Sequence, residues 1–599
     1  MKNKVKKTLR YMVFLALMLM VCTNAWAVNN EQDYTKSTPK RGWYWYMGDG
    51  KKPQAQVAVA PSKSGYTAIQ PSSGSDSEPY TAGSTEAIPI YDSEIEAVDY
   101  ESLGGGIDTT GENTVFAETA VKSTTYDSPF GVFGVFDASG YRDFIKDMIF
   151  EGYFDVPEDY YPWAGNHMQN LGAKWSRQNT LLVWEGVQPN PYGEYIWNDA
   201  DRTINKAYEH GGDDFNLILA ISPKRLNPIT ENRLDWLNED EPDLKEPFKN
   251  FVKAAVERYR NKVKYWQAGP EEFPKTWSNP GLRGTNDGYI RFLEWMNEAV
   301  KDVDGDAKIV LAPLIVSYQP DKPLKESLEK IEEIIKGAAA EDLLFDAIDV
   351  HYWDFAENYK MPGIEEIRTI LDNNGYENVK IFSLEHGTHV NQPIVPDRIV
   401  PYQSEKNQSI SLIKRYSYNL ANGVSLINWN NLVEWKDFSG KDSDGPFDNM
   451  GLISDGDGGG EPPTNLGIPR LSYYTYKKMT ETLEGSDWDN IETIREGDDD
   501  IYIYKFTKKD LPYKQIWVAW DDTPDYTQSG YGEITITGIG HNEVKITEAV
   551  ADYETGRDVP YFKTWSVITA PSSGDTREVT IELGENPLFI EENYPPRRR

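Results

Sequence analysis

A repeat of pattern, not of sequence, limits what this chain can fold into. From Phe130 onward, short apolar runs alternate with longer amphipathic stretches. The runs FGVFGVF, AKWSRQ, FNLILAIS, VKYWQAG, KIVLAPL, FDAIDVHYW, VKIFSLE and VSLINWN read as buried strands. Between them lie helical stretches such as KEPFKNFVKAAVERYRNK and NDGYIRFLEWMNEAVKDV, and the last helix is expected over Arg470–Leu483. Eight strands each followed by a helix define an α/β (β/α)8 TIM barrel, placed at residues 128–485. An open doubly wound sheet competes, but no Gly-rich phosphate loop follows the first strand.

After residue 485 the period changes to two. DDIYIYKF, KQIWVAW, GEITITGI, EVKITEAVADY, YFKTWSVITA and REVTIELG alternate between faces and are separated by turn residues. Residues 486–599 are therefore expected to form a small all-β sandwich domain.

The other end of the chain carries different signals. Lys2, Lys4, Lys6, Lys7 and Arg10 precede the apolar run Met12–Val21, and Ala25-Trp26-Ala27 fits a small-residue cleavage site. Residues 1–27 are expected to be a signal peptide, too short for a comfortable membrane span, and the mature protein to be secreted or periplasmic, without membrane insertion. Cleavage would remove Cys22, the single cysteine, leaving no disulfide. Residues 28–127 are polar and rich in Gly and Ser, and read as a low-complexity, flexible region holding one aromatic knot, Gly42–Tyr46.

Composition narrows the partners. Asp+Glu number 96 against 61 Lys+Arg, a net charge of −35, which repels nucleic acid and anionic membrane surfaces. Aromatics reach 13%, with 18 Trp and 37 Tyr, a surplus of flat rings that suits a carbohydrate partner.

Barrel enzymes present their chemistry at the C-terminal ends of the strands. The fourth strand ends in Tyr-Trp-Gln-Ala-Gly-Pro-Glu-Glu, reaching Glu271 and Glu272, and the seventh in Ser-Leu-Glu-His-Gly, carrying Glu385. Two facing carboxylates are what glycosidic cleavage needs: one protonated to assist the leaving oxygen, the other ionised at the anomeric carbon. Arg177, at the end of the second strand, could hold a carboxylate ionised through a charge-assisted hydrogen bond, or serve as a structural salt-bridge residue.

This arrangement resembles the clan A retaining glycoside hydrolases, and among them the β-xylosidase/α-iduronidase group, whose barrel is followed by a β-sandwich. Tyr265, Trp266, Gly269 and Glu271 fall in step with the clan's fourth-strand run Tyr-Trp-Glu-Val-Gly-Asn-Glu-Pro. The resemblance implies Glu271 as acid/base and Glu385 as nucleophile. Two positions depart from it: Pro270 stands where the clan has Asn, and Glu272 where it has Pro. Glu272 could take the inward place of its neighbour. The resemblance also implies substrate contacts from His351 and Tyr352 at the sixth strand end and from Trp429 at the eighth. For His351 and Trp429, core roles stay open. Trp435, in the insertion that follows, is a candidate sugar-stacking residue.

A metal site at His351, His386 and His389 is not expected, because HxxH here lies in a strand-end loop. The stretches Asp442–Asp448 and Asp455–Gly460 do not fit an EF-hand and read as loops shaping the cleft. No cofactor is implied. The sequence reads as a secreted glycoside hydrolase cleaving O-glycosidic bonds of poly- or oligosaccharides by double displacement. A non-catalytic carbohydrate-binding protein on the same scaffold and a transglycosylase are the rival readings.

Overall fold

The computed structural model describes residues 128–138, 141–225, 234–238, 242–269, 285–316, 324–353, 358–393, 400–434, 449–456, 466–523, 532–553, 560–584 and 586–592. The expectations for residues 1–27 and 28–127, including Gly42–Tyr46, lie outside them, as do Glu271, Glu272 and Trp435.

Eight strands close into a parallel ring: β1 (Phe130–Val132), β2 (Trp175–Val183), β3 (Asn216–Ser222), β4 (Val263–Ala268), β5 (Lys308–Leu311), β6 (Ala347–Trp353), β7 (Lys380–Gly387) and β8 (Val424–Trp429). β1 pairs with both β2 and β8, and β5 with both β4 and β6, so no edge is left. Two runs are interrupted. FGVFGVF is strand only as far as Val132; Gly134 then takes φ +66° and accepts from Asp137 N in a turn. KIVLAPL breaks at Pro313, which offers no N–H to the ladder, and resumes at Leu314–Ile315, again paired with β6.

The ring interior is filled by Trp175, Ile218, Val310, Ala347, Phe382, Leu384 and Leu426. The alternate residues face an outer layer of helices. The helix Asn286–Val303 shows why such stretches fold: Thr285 caps it by accepting from Gly288 N, and Tyr289, Phe292, Leu293, Met296 and Val300 bury one stripe.

Beyond the helix Leu471–Leu483 the chain forms a six-stranded and a three-stranded antiparallel sheet. Alternation along β10 (Ile501–Lys508), which follows β9 (Glu492–Asp498), makes the larger sheet two-faced. Tyr502, Tyr504 and Phe506 join the barrel's helical core, whereas Ile501 and Ile503 pack toward the smaller sheet. The strand Leu588–Glu592, a run the sequence pattern did not single out, lies inside the larger sheet. The sandwich is seated on the barrel by Asp522, whose carboxylate accepts from Tyr359 Oη at 2.8 Å and Lys414 Nζ at 2.6 Å.

Candidate active site

The barrel interior is apolar at its base and polar above. Arg177, Gln267, Asp349 and His351 are wholly buried, and each shares the inward phase of its strand with an apolar residue below: Trp175, Tyr265 and Ala347. Glu385 joins them by a different route. On β7, Ile381 faces outward while Phe382 and Leu384 face inward, so strict alternation would send Glu385 outward. Between the pairs Asp349↔Phe382 and Tyr352↔His386, however, β7 spends four residues against three on β6. Between Ser383↔Ile427 and His386↔Trp429 it spends three against two on β8. This bulge inserts one residue and reverses the phase. Glu385 therefore turns inward, and His386 turns outward against the Tyr352 ring, 5.5 Å away.

The five polar side chains form a closed circuit. Arg177 Nη1 donates to Glu385 Oε1 at 2.6 Å, and Arg177 Nε donates to Gln267 Oε1 at 2.5 Å. Gln267 Nε2 donates to Asp349 Oδ2 at 2.7 Å and to the Leu311 carbonyl at 3.1 Å. His351 Nε2 lies 3.0 Å from Asp349 Oδ2, and His351 Nδ1 lies 3.7 Å from Glu385 Oε2. Asp349 Oδ1 accepts from Leu384 N at 2.9 Å, beside the bulge. Phe133, at the end of β1, lies over the Arg177 guanidinium, 5.4 Å from ring centroid to Cζ.

The electrostatics follow from this wiring. Burial alone would raise the Asp349 carboxyl. The charge and hydrogen bond of His351, the Arg177 charge and the Leu384 N–H outweigh it and hold the group below the ordinary carboxylate value. Arg177 at 2.6 Å favours the ionised form of Glu385 through a charge-assisted bond. Glu385 alone in the circuit keeps a little exposure, 7%, so its carboxylate is the charged group nearest the solvent side.

Arg177, His351 and Glu385 are thus brought together, with Gln267 and Asp349, which sequence reasoning passed over. Tyr352 is not brought to them. It lies one residue from His351 on the opposite face, donating to the Asn358 carbonyl at 2.9 Å beneath Arg415. Trp429 is wholly buried in the outer core, with its indole N–H on the Met450 carbonyl at 3.0 Å. A different indole, Trp353, stands on the His351 face of β6 and is half-buried, edge-on to the imidazole at 5.3 Å. The three histidines diverge: His351 faces in, His386 faces out, and His389 lies 3.0 Å from the Pro401 carbonyl. Among the described residues no group of three or more His, Cys, Asp or Glu side chains converges as a metal site.

No protein-family profile matches the sequence, and no curated protein matches it. Solved structures do show a likeness. A glucosidase from Croceicoccus marinus is 11% identical, with 72% of this chain and 92% of that chain covered and a TM-score of 0.46. A monomeric β-xylosidase from Caulobacter crescentus is 12% identical, with 78% and 95% covered and a TM-score of 0.45. A GH51 α-L-arabinofuranosidase from Thermotoga petrophila is 12% identical, with 72% and 89% covered and a TM-score of 0.44. The barrel and the sandwich are established by their own strand pairing.

Proposed function

We propose that this chain is an exported glycoside hydrolase acting on a poly- or oligosaccharide with retention of configuration. One observation carries the reading: a bulge at the C-terminal end of β7 turns Glu385 into the barrel, where Arg177 holds its carboxylate at 2.6 Å. An ionised, oriented and slightly exposed carboxylate at a barrel strand end is a nucleophile awaiting an electrophile. In this reading Glu385 attacks the anomeric carbon while Glu271 protonates the leaving oxygen. The resulting ester is hydrolysed by water that Glu271 deprotonates. The two carboxyl groups are expected about 5–5.5 Å apart. As ester formation neutralises Glu385, Arg177 retains its bond to Gln267, which keeps the guanidinium in place for the second step. Trp353 supplies an indole at the mouth against which a sugar ring can lie.

The test is trapping. Incubation with 2-deoxy-2-fluoro glycosides bearing a dinitrophenyl leaving group, followed by peptide mass spectrometry, should place one glycosyl adduct on the peptide containing Glu385. A label elsewhere, or inverted product by NMR, would overturn the assignment.

A further inference from the structure

The geometry points to a second saccharide site, in the sandwich domain: a groove of about 500 Å3 that takes a neutral glycan chain against Trp565. It lies on the strand Thr564–Ile568, at the edge of the six-stranded sheet, and is closed on the other side by Thr580, Ile581 and Glu582 of a strand in the smaller sheet and by Leu583 and Gly584, which follow it. Its volume falls within the range of about 300–1,000 Å3 usual for small-molecule sites.

Three features set the ligand class. Trp565 and Val567 are only partly buried, packed on the inter-sheet core with apolar surface left toward the groove. Such a surface matches the C–H face of a sugar ring. Above them Glu548 is already oriented, accepting from Lys563 Nζ at 3.0 Å and Asn586 Nδ2 at 2.7 Å. The second bond turns the Asn586 amide nitrogen to Glu548 and its Oδ1 away, where it has no hydrogen-bond partner among the described residues. Glu548, partly exposed at the groove wall and held in this orientation, offers acceptor oxygens to sugar hydroxyls. Lys563 lies over the indole at 5.3 Å, but it is largely exposed and weakly held, so a sugar ring can displace it. Glu548 and Glu582 set two carboxylates against that one ammonium, in a chain of net charge −35, so the groove selects a neutral glycan over an acidic one.

Affinity electrophoresis of the full chain tests this. All proteins carry Glu385→Gln to prevent digestion, in native gels containing soluble arabinoxylan, galactomannan or hydroxyethylcellulose, with polygalacturonate as the acidic comparison. At least one neutral polymer should retard the parent more than polygalacturonate does. Trp565→Ala should weaken that retardation about tenfold or more. Because Trp565 also packs on the core, Gly584→Phe is the second variant: Gly584 lines the groove, and a Cβ there meets nothing within 4 Å among the described residues, so the position accepts a bulky side chain that crowds the groove. It should abolish retardation while leaving thermal melting unchanged. With native Glu385 restored, both variants should cleave aryl glycosides as well as the parent. Retardation that survives Gly584→Phe, no retardation by any neutral polymer, or stronger retardation by polygalacturonate would overturn the proposal. Loss of retardation in a protein without hydrolytic activity would uphold this site while refuting the catalytic reading.

Discussion

Gln267 and Asp349 meet at 2.7 Å across the barrel interior, although the strand between theirs, β5, separates them. The same amide nitrogen also donates to the Leu311 carbonyl of that intervening strand. Gln267 thus ties β4, β5 and β6 at one level, and its other end steadies the guanidinium that holds Glu385. The position of the proposed nucleophile is fixed from strands on both sides of the ring.

The wiring predicts that Arg177→Lys is not conservative. A lysine ammonium cannot place one donor on Gln267 and another on Glu385 with the planar geometry of a guanidinium. kcat should fall by about 100-fold or more, with a smaller change in KM. Arg177→Met should also destabilise by about 3–5 kcal/mol, because two buried carboxylates lose their cation. Steady-state kinetics and chemical denaturation check both.

Asp349→Asn tests the circuit through its pH dependence. The folded Asp349 carboxyl sits below its ordinary value of 3.8, so its contribution to stability is fully present above that value and is lost as pH falls through the folded value. The variant should melt several degrees below the parent at pH 7, and the gap should narrow below pH about 4. A gap that stays constant down to pH 3 would mean that the charge is not what stabilises.

His167 provides a second acid-sensitive element, away from the site. Burial lowers its imidazole from 6.5 to about 4, and its Nδ1 lies 2.8 Å from Tyr473 Oη. Between those two values the unfolded chain binds a proton that the folded one refuses, so stability falls as pH drops through the window. His167→Gln keeps a polar partner for Tyr473 and removes the titration. The variant should lose less stability between pH 7 and pH 4 than the parent, the difference being on the order of 3 kcal/mol.

Glu271→Ala should separate the two proposed roles. Aryl glycosides with activated leaving groups need no proton to depart, so the first step should survive and the second should stall. Azide, which needs no general base, should then restore turnover and yield a glycosyl azide of retained configuration. With Glu385→Ala, azide should instead give the inverted product. Identical responses from both variants would refute the assignment.

The barrel was legible because its strands and helices differ in period, and that difference survives any detail of packing. Arg177, His351 and Glu385 were legible because each is a polar residue at the end of an apolar run. Gln267 and Asp349 lie inside such runs, where a lone polar residue disappears into the apolar average. Yet a carboxylate within FDAIDVHYW is a signal in itself, since an ionised side chain is rarely buried without a partner. The outward placement of Tyr352 follows from simple alternation with His351. The inward placement of Glu385 contradicts alternation, and nothing in VKIFSLEHG marks the extra residue. Bulges arise from pairing between strands, so a single strand's sequence does not display them.

The bulge in β7 makes the handedness of this strand end a matter of odd or even count. If the same residues from Phe382 to His386 ran as a regular strand, with none bulged out, the apolar lettering would be unchanged and the two neighbours would exchange faces. The imidazole of His386 would then meet the Arg177 guanidinium, and the carboxylate would be stranded among the aromatic rings under the Glu405–Ala421 helix. Such a chain could keep a barrel and lose its reactive group. In this protein the chemistry therefore depends as much on how one strand is paired with its neighbours as on the identity of any side chain.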